Sequence, residues 1–159
     1  MYSALLDEPQ GEDALRLLEV KRMALDTPSV ERSLLFQILV GRDGIPADAA
    51  TTVYLADRLS ELRTDGLGTY LAARQLFYAQ RFDLAAEQMR RAQVQGLPTR
   101  LLGLAALRVQ AVSLFARGQL DESSRAWTQL GRQGDLAHQL EVLDWQRRIE
   151  WAKARSTSL

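Results

Sequence analysis

The segment Gln80-Arg81-Phe82-Asp83-Leu84-Ala85-Ala86-Glu87 and the segment Gly118-Gln119-Leu120-Asp121-Glu122-Ser123-Ser124-Arg125 repeat one pattern. Each follows an aromatic, Phe77-Tyr78 in the first copy and Phe115 in the second. Each then runs through a large apolar residue, an Asp and a small pair. An acid near a helix start complements the helix dipole. Small residues let one helix approach its predecessor, because ridges of side chains otherwise hold the axes apart. The pattern therefore reads as a turn that opens a helix packed closely on the helix before it.

Working outward, Gly and Pro punctuate segments of helix length that are rich in Ala, Leu, Arg, Glu and Gln, all strong helix formers. Eight helices are expected, near residues 12–25, 28–40, 47–63, 67–80, 83–95, 99–117, 121–130 and 135–154. Thr27 before Pro28, Asp83, Asp121 and Asp135 stand where an N-cap would accept free backbone N–H groups. Phe36, Ile38 and Val40 also alternate, so a strand competes at the second segment; the Leu34-Leu35 pair favours helix. Breaks this short make successive helices antiparallel. The reading is an all-α single domain over residues 1–159.

These residues resemble the turn and flanking helices of a tetratricopeptide repeat. By that resemblance the small contact positions opening the second helices are Ala85 and Ser123, with the large Met89 and Trp127 four residues on and a next small position at Ala92, which is Leu130 in the later copy. In the preceding helices it implies small positions at Ala73 and Ala111, followed by Leu76 and Leu114, and a weaker copy upstream with Gly44 at the turn and Ala49 and Ala56 at the small positions. The resemblance implies a right-handed array of antiparallel helix hairpins, a TPR-like α-solenoid. In it, residues 1–28 supply an N-terminal helix, residues 29–130 degenerate repeats, and residues 135–154 a C-terminal capping helix. The chain departs from the family's 34-residue period: Ala49 to Ala85 is 36 and Ala85 to Ser123 is 38. Its Pro98 comes one place late, and the family's Trp in the first helix is absent. Other right-handed helix-hairpin solenoids share the pattern. By the same resemblance, the first helix of each hairpin lines a concave groove, with Tyr70, Arg74, Phe77 and Tyr78 from one repeat and Arg108, Val112 and Phe115 from the next. Arginines beside aromatics suit a carboxylate-bearing or extended peptide. The competing reading is ordinary core between repeats.

Composition narrows the function. Lys plus Arg equals Asp plus Glu at 20 each, so no bulk field draws the chain to nucleic acid or anionic membrane. There is no Cys, which removes disulfides, thiolate catalysis and Cys-based zinc sites. The sole His138 has no partners for a triad or an HExxH site and reads as solvated. Gly66-Leu67-Gly68 lacks the third glycine and the preceding strand of a dinucleotide loop. Arg42-Asp43-Gly44 lacks a calcium loop's ligand series. The acid pairs Asp7-Glu8, Glu12-Asp13 and Asp121-Glu122 sit at helix starts, and Arg90-Arg91 and Arg147-Arg148 read as solvated helix faces. Residues 1–9 carry acid and no apolar run, unlike a secretory signal, and no run of roughly 20 apolar residues spans a bilayer. The expectation is a cytoplasmic, non-enzymatic protein with no cofactor, no metal, no nucleic acid and no membrane insertion.

The last helix is apolar on two faces. At about 100° per residue, Leu136, Leu140, Leu143 and Trp151 gather on one side, and Val142, Trp145, Ile149 and Ala152 on the other. One face caps the array; the second is then a contact surface. The Val142, Trp145, Ile149 and Ala152 face is the expected surface for self-association or docking. The leading functional expectation is a scaffold binding a partner protein or peptide through the groove. The alternatives are a docking or homo-oligomerisation segment that uses the last helix, and a regulatory domain of a larger signalling or transcription protein.

Overall fold

The computed structural model describes residues 29–40 and 47–157. The expected first helix, near residues 12–25, lies outside the described residues, as does the turn at Gly44. Among the described residues there are seven helices and no strand: α1 (Ser29–Val40), α2 (Ala49–Leu62), α3 (Leu67–Tyr78), α4 (Phe82–Gln95), α5 (Arg100–Ala116), α6 (Leu120–Gln133) and α7 (Leu136–Thr157). The alternation at residues 36–40 is therefore helical. Each helix packs on the next in the chain, and α1 also touches α3, as α3 touches α5.

The turns explain the pairing. The two matching segments form the same turn. Gln80 and Gly118 take positive φ, 61° and 78°. Arg81 N donates to Leu76 O and Gln119 N to Leu114 O, each at 2.9 Å. This is the hydrogen-bonded end of a helix closed by one left-handed residue. The small residues of the flanking helices, Ala73, Ala85, Ala111 and Ser123, are all fully buried. Ser123 Oγ donates to Ala111 O at 2.8 Å, so a hydroxyl on α6 satisfies a carbonyl of α5 where the two backbones are close.

Two expected caps change, and α6 runs past its expected end at Leu130. Asp83 and Asp121 lie one residue inside α4 and α6; the N-cap residues are Arg81 and Gln119, with no side-chain cap bond. The two acids act in the first turn instead, where each completes the helix dipole. Gly131 does not end α6, which continues to Gln133; its missing Cβ would meet Val142 of α7 at an ordinary 3.5 Å. Elsewhere capping is conventional. Asp48 accepts from Thr51 N at 2.7 Å and Thr99 from Leu102 N at 3.2 Å. The hydrogen bond from Thr51 N holds the Asp48 carboxyl below its usual range.

Gly66 is required by close approach. Its N donates to Gly96 O at 2.7 Å, and a Cβ there would stand 2.3 Å from Ala92 O. The α2–α3 turn thus lies against the end of α4. Arg63 secures the same turn, donating from Nε and Nη2 to both oxygens of Asp65 at 2.9 and 2.7 Å, with Glu31 of α1 3.5 Å away.

One continuous core runs through all seven helices. Trp127, Tyr70, Phe77, Met89, Leu102 and Leu130 are among its fully enclosed side chains. Each such aliphatic or aromatic side chain contributes about 1.5–3 kcal/mol relative to exposure.

Candidate interaction surface

The seven residues expected to line a groove do not form one open surface. Tyr70, Phe77 and Val112 are enclosed in the core. Phe77 packs edge-on against Tyr78 and Phe82, with ring centroids 5.6 and 5.8 Å apart. Arg108 is also buried, and its Nε donates to Glu141 Oε1 of α7 at 2.9 Å. Phe115 is partly covered by the edge of Trp145, 5.2 Å between centroids. Partial exposure remains for Arg74 and Tyr78, where the guanidinium lies 4.8 Å from the ring centroid. The physical reason is that α1, α3 and α5 touch in a row, so their facing side chains are core. α7 then reaches across α5 to take up Arg108 and Phe115. This corrects the expectation that Tyr70, Phe77, Arg108 and Val112 face a ligand.

The two faces of α7 are also exchanged relative to expectation. Val142, Trp145 and Ile149 are buried and Ala152 is half-buried. Trp145 stacks on Trp127 of α6 with centroids 5.1 Å apart and planes 16° apart. Polar contacts frame this seam. Ser124 Oγ donates to Gln146 Oε1 at 2.8 Å, and Gln146 Nε2 donates back to Ser124 O at 3.0 Å. Lys153 pairs with Asp121 and holds that carboxyl below its usual range. Asp135 at the start of α7 accepts from His138 N at 3.2 Å, so the His138 ring, 2.7 Å from the same carboxylate, belongs to a cap.

The opposite face carries Leu136, Leu140, Leu143 and Trp151, exposed by 69, 59, 58 and 63%. Arg155 covers part of the Trp151 ring at 4.6 Å from its centroid. The remaining exposed large apolar residues, Tyr54, Leu62 and Val94, sit on α2 and α4. Among the described residues, only on α7 do such residues follow one another at helical spacing. The sequence carried a signal for this choice. At 100° per residue the charged Arg147 and Glu150 fall within the Leu stripe, whereas the Val142, Trp145, Ile149 seam is uninterrupted. A seam free of charge is the one that can be buried.

A second feature is a cleft of about 220 Å³ between α4 and α6, floored by Gly103 and Leu107 of α5 and lined by Gln93, Gln129 and Gln133. Gln93 Nε2 is buried there without a hydrogen-bond partner. Between α2 and α4 the corresponding space is closed by Asp57 with Arg91, and by Thr69 Oγ1 donating to Gln95 Oε1 at 2.7 Å.

Among the described residues no three His, Cys, Asp or Glu side chains cluster as metal ligands, and no helix is long and apolar enough to cross a membrane. No protein-family model matches the chain, and no curated protein or solved structure matches it at a significant level.

Proposed function

We propose that this chain is a non-catalytic, protein-binding helical scaffold, a degenerate TPR-like right-handed array whose docking surface is the free face of its last helix. The observation that carries the reading is the row Leu136, Leu140, Leu143 and Trp151, each more than half exposed on one side of α7. The largest apolar patch on a protein's surface is often a contact site. The equivalent turns at Gln80 and Gly118, and the row of α1, α3 and α5, support the repeat reading.

The test is thermal unfolding of a Leu140→Glu, Leu143→Glu double variant beside the parent, both diluted until light scattering shows monomer, so that loss of a bound copy does not enter the comparison. A docking face touches water in the free protein, so the midpoint is expected to stay within about 2 °C of the parent, since surface changes cost no more than about 0.5 kcal/mol. A fall of 6 °C or more, roughly 2 kcal/mol for a domain of this size, would show that the stripe is packed by the chain's own residues and would sink the docking reading.

A second reading is favoured by the stacked, partly exposed Arg74 and Tyr78 on α3. Here an acidic extended peptide is recognised at Arg74, Tyr78 and Phe115. Fluorescence titration with a Glu-rich peptide tests it: binding must be saturable and weakened by Arg74→Ala.

A further inference from the structure

We infer that α7 docks onto a second copy of this chain, in an antiparallel helix pair related by a twofold axis that passes between Leu143 and Asp144. The inference rests on the docking face described above and names its occupant.

Four observations point to a second copy. First, the stripe is self-complementary. Leu136 and Trp151 bound it, and its midpoint lies at 143.5 in the numbering. An antiparallel pair about that point sets Leu136 against the partner copy's Trp151, and places the two copies of Leu143 beside the axis, about 1.5 Å apart along the pair. A small aliphatic side chain thus meets the large aromatic at each end, and two leucines meet in the middle.

Second, charge selects the direction. Arg147 and Glu150 lie inside the exposed face. A parallel, in-register pair would stack Arg147 on Arg147 and Glu150 on Glu150, which costs free energy. The antiparallel pair sets Arg147 over Leu140 of the other copy. Its aliphatic stem covers that leucine while its guanidinium reaches toward Asp144, one turn away. Asp144 already receives Arg148 of its own chain at 3.0 Å, so each carboxylate would join two guanidiniums.

Third, the area is sufficient. The exposed parts of the four side chains amount to on the order of 500 Å² per copy, the size of the largest patch a typical monomer shows. Two copies bury about 1,000 Å² of apolar surface, and the rim at Asp144, Arg147, Glu150 and Ala154 takes the total into the range of small specific interfaces.

Fourth, among the described residues nothing obstructs the contact. α7 packs against α6 through its opposite face, and Lys153 still reaches Asp121 near the start of α6. The two bodies therefore point away from the axis, and the pairing closes as an isologous dimer.

The experiment uses the intact chain. Light scattering from micromolar to near-millimolar protein is expected to show the mass rising from 17.9 kDa toward twice that value, with Leu143→Glu holding the monomer. The chain has no Cys, so single cysteines report the register without background. Leu143→Cys is expected to cross-link to itself through a short bismaleimide. Leu136→Cys is not, because 15 residues at 1.5 Å place the two sites about 22 Å apart along the pair. A mixture of Leu136→Cys and Trp151→Cys is expected to give a mixed dimer. Self-cross-linking of Leu136→Cys would mean a parallel pair and would overturn the inference. A monomer at every concentration would overturn it too, while leaving the docking reading intact if Leu140→Glu, Leu143→Glu still unfolds at the parent temperature. Loss of the fold in that double variant would overturn both.

Discussion

Arg108 offers a sharp test of structural role against ligand recognition. Its side chain is 5% exposed and its partner Glu141 21% exposed, and the pair joins α5 to α7 at 2.9 Å. Removing one member of a buried ion pair costs about 3–5 kcal/mol, because the other is left charged in a poor solvent. Glu141 keeps some access to water, and Arg108 has a further interaction besides. The cost of Glu141→Ala is therefore expected at the lower limit, about 3 kcal/mol. For a domain of this size that lowers the thermal midpoint by about 6–12 °C. With a urea slope of about 2 kcal/mol per molar, it lowers the urea midpoint by about 1.5 M. Replacing both partners by apolar residues of similar volume, Arg108→Met with Glu141→Leu, removes charge and counter-charge together. That double variant is expected to unfold within about 1 kcal/mol of the parent. The assay is urea unfolding followed by far-ultraviolet circular dichroism, with the two single variants and the double completing a cycle. If Glu141→Ala unfolds with the parent, or the two single costs simply add in the double, the pair does not clamp α7.

Other expectations follow from the same coordinates. Ile149→Ala, in the seam of α7 at 2% exposure, is expected to cost about 2–5 kcal/mol, against less than 0.5 for Leu140→Ala on the free face, as measured by denaturant unfolding. Gly103 has no atom within 4 Å of an added Cβ, so Gly103→Ala in the interior of α5 is expected to raise stability by about 0.5–1 kcal/mol. Gly66→Ala, which meets Ala92 O at 2.3 Å, is expected to lower it by 2 kcal/mol or more; both are read from thermal midpoints. Stability should also fall in acid. The hydrogen bonds from Arg63, and then Leu67 N, hold Asp65 below its usual range, as the hydrogen bond from Thr51 N does for Asp48. A depressed folded-state pKa adds stability that is fully present above about pH 4 and is lost as pH falls through the folded value. Asp65→Asn should flatten the decline between about pH 4 and pH 2 in a midpoint-against-pH series.

Much of the architecture is local and therefore legible along the chain. Helix length, breaks at Gly and Pro, and the small residues Ala73, Ala85, Ala111 and Ser123 all depend on neighbours a few residues away. Among the described residues the structure agrees with most of these, down to the shared turn at Gln80 and Gly118, though α6 continues through Gly131 to Gln133. The two apolar faces of α7 were equally visible, because helical periodicity depends only on spacing. Which face turns inward had one signal along the chain, the charges of Arg147 and Glu150 within the Leu stripe. The tertiary structure decided it, where α6 presents Trp127 and α5 presents Phe115 to Trp145. The groove failed for the same reason. Tyr70, Arg108 and Val112 have the chemistry of a recognition surface in one dimension, but α1, α3 and α5 pack in a row and α7 supplies a carboxylate to Arg108. Periodicity states that a face must be covered; only packing between distant helices states by what. The sequence by itself determined an all-helical chain of paired helices with a spare apolar face at its end, and the tertiary contacts decided that this face is Leu136, Leu140, Leu143 and Trp151.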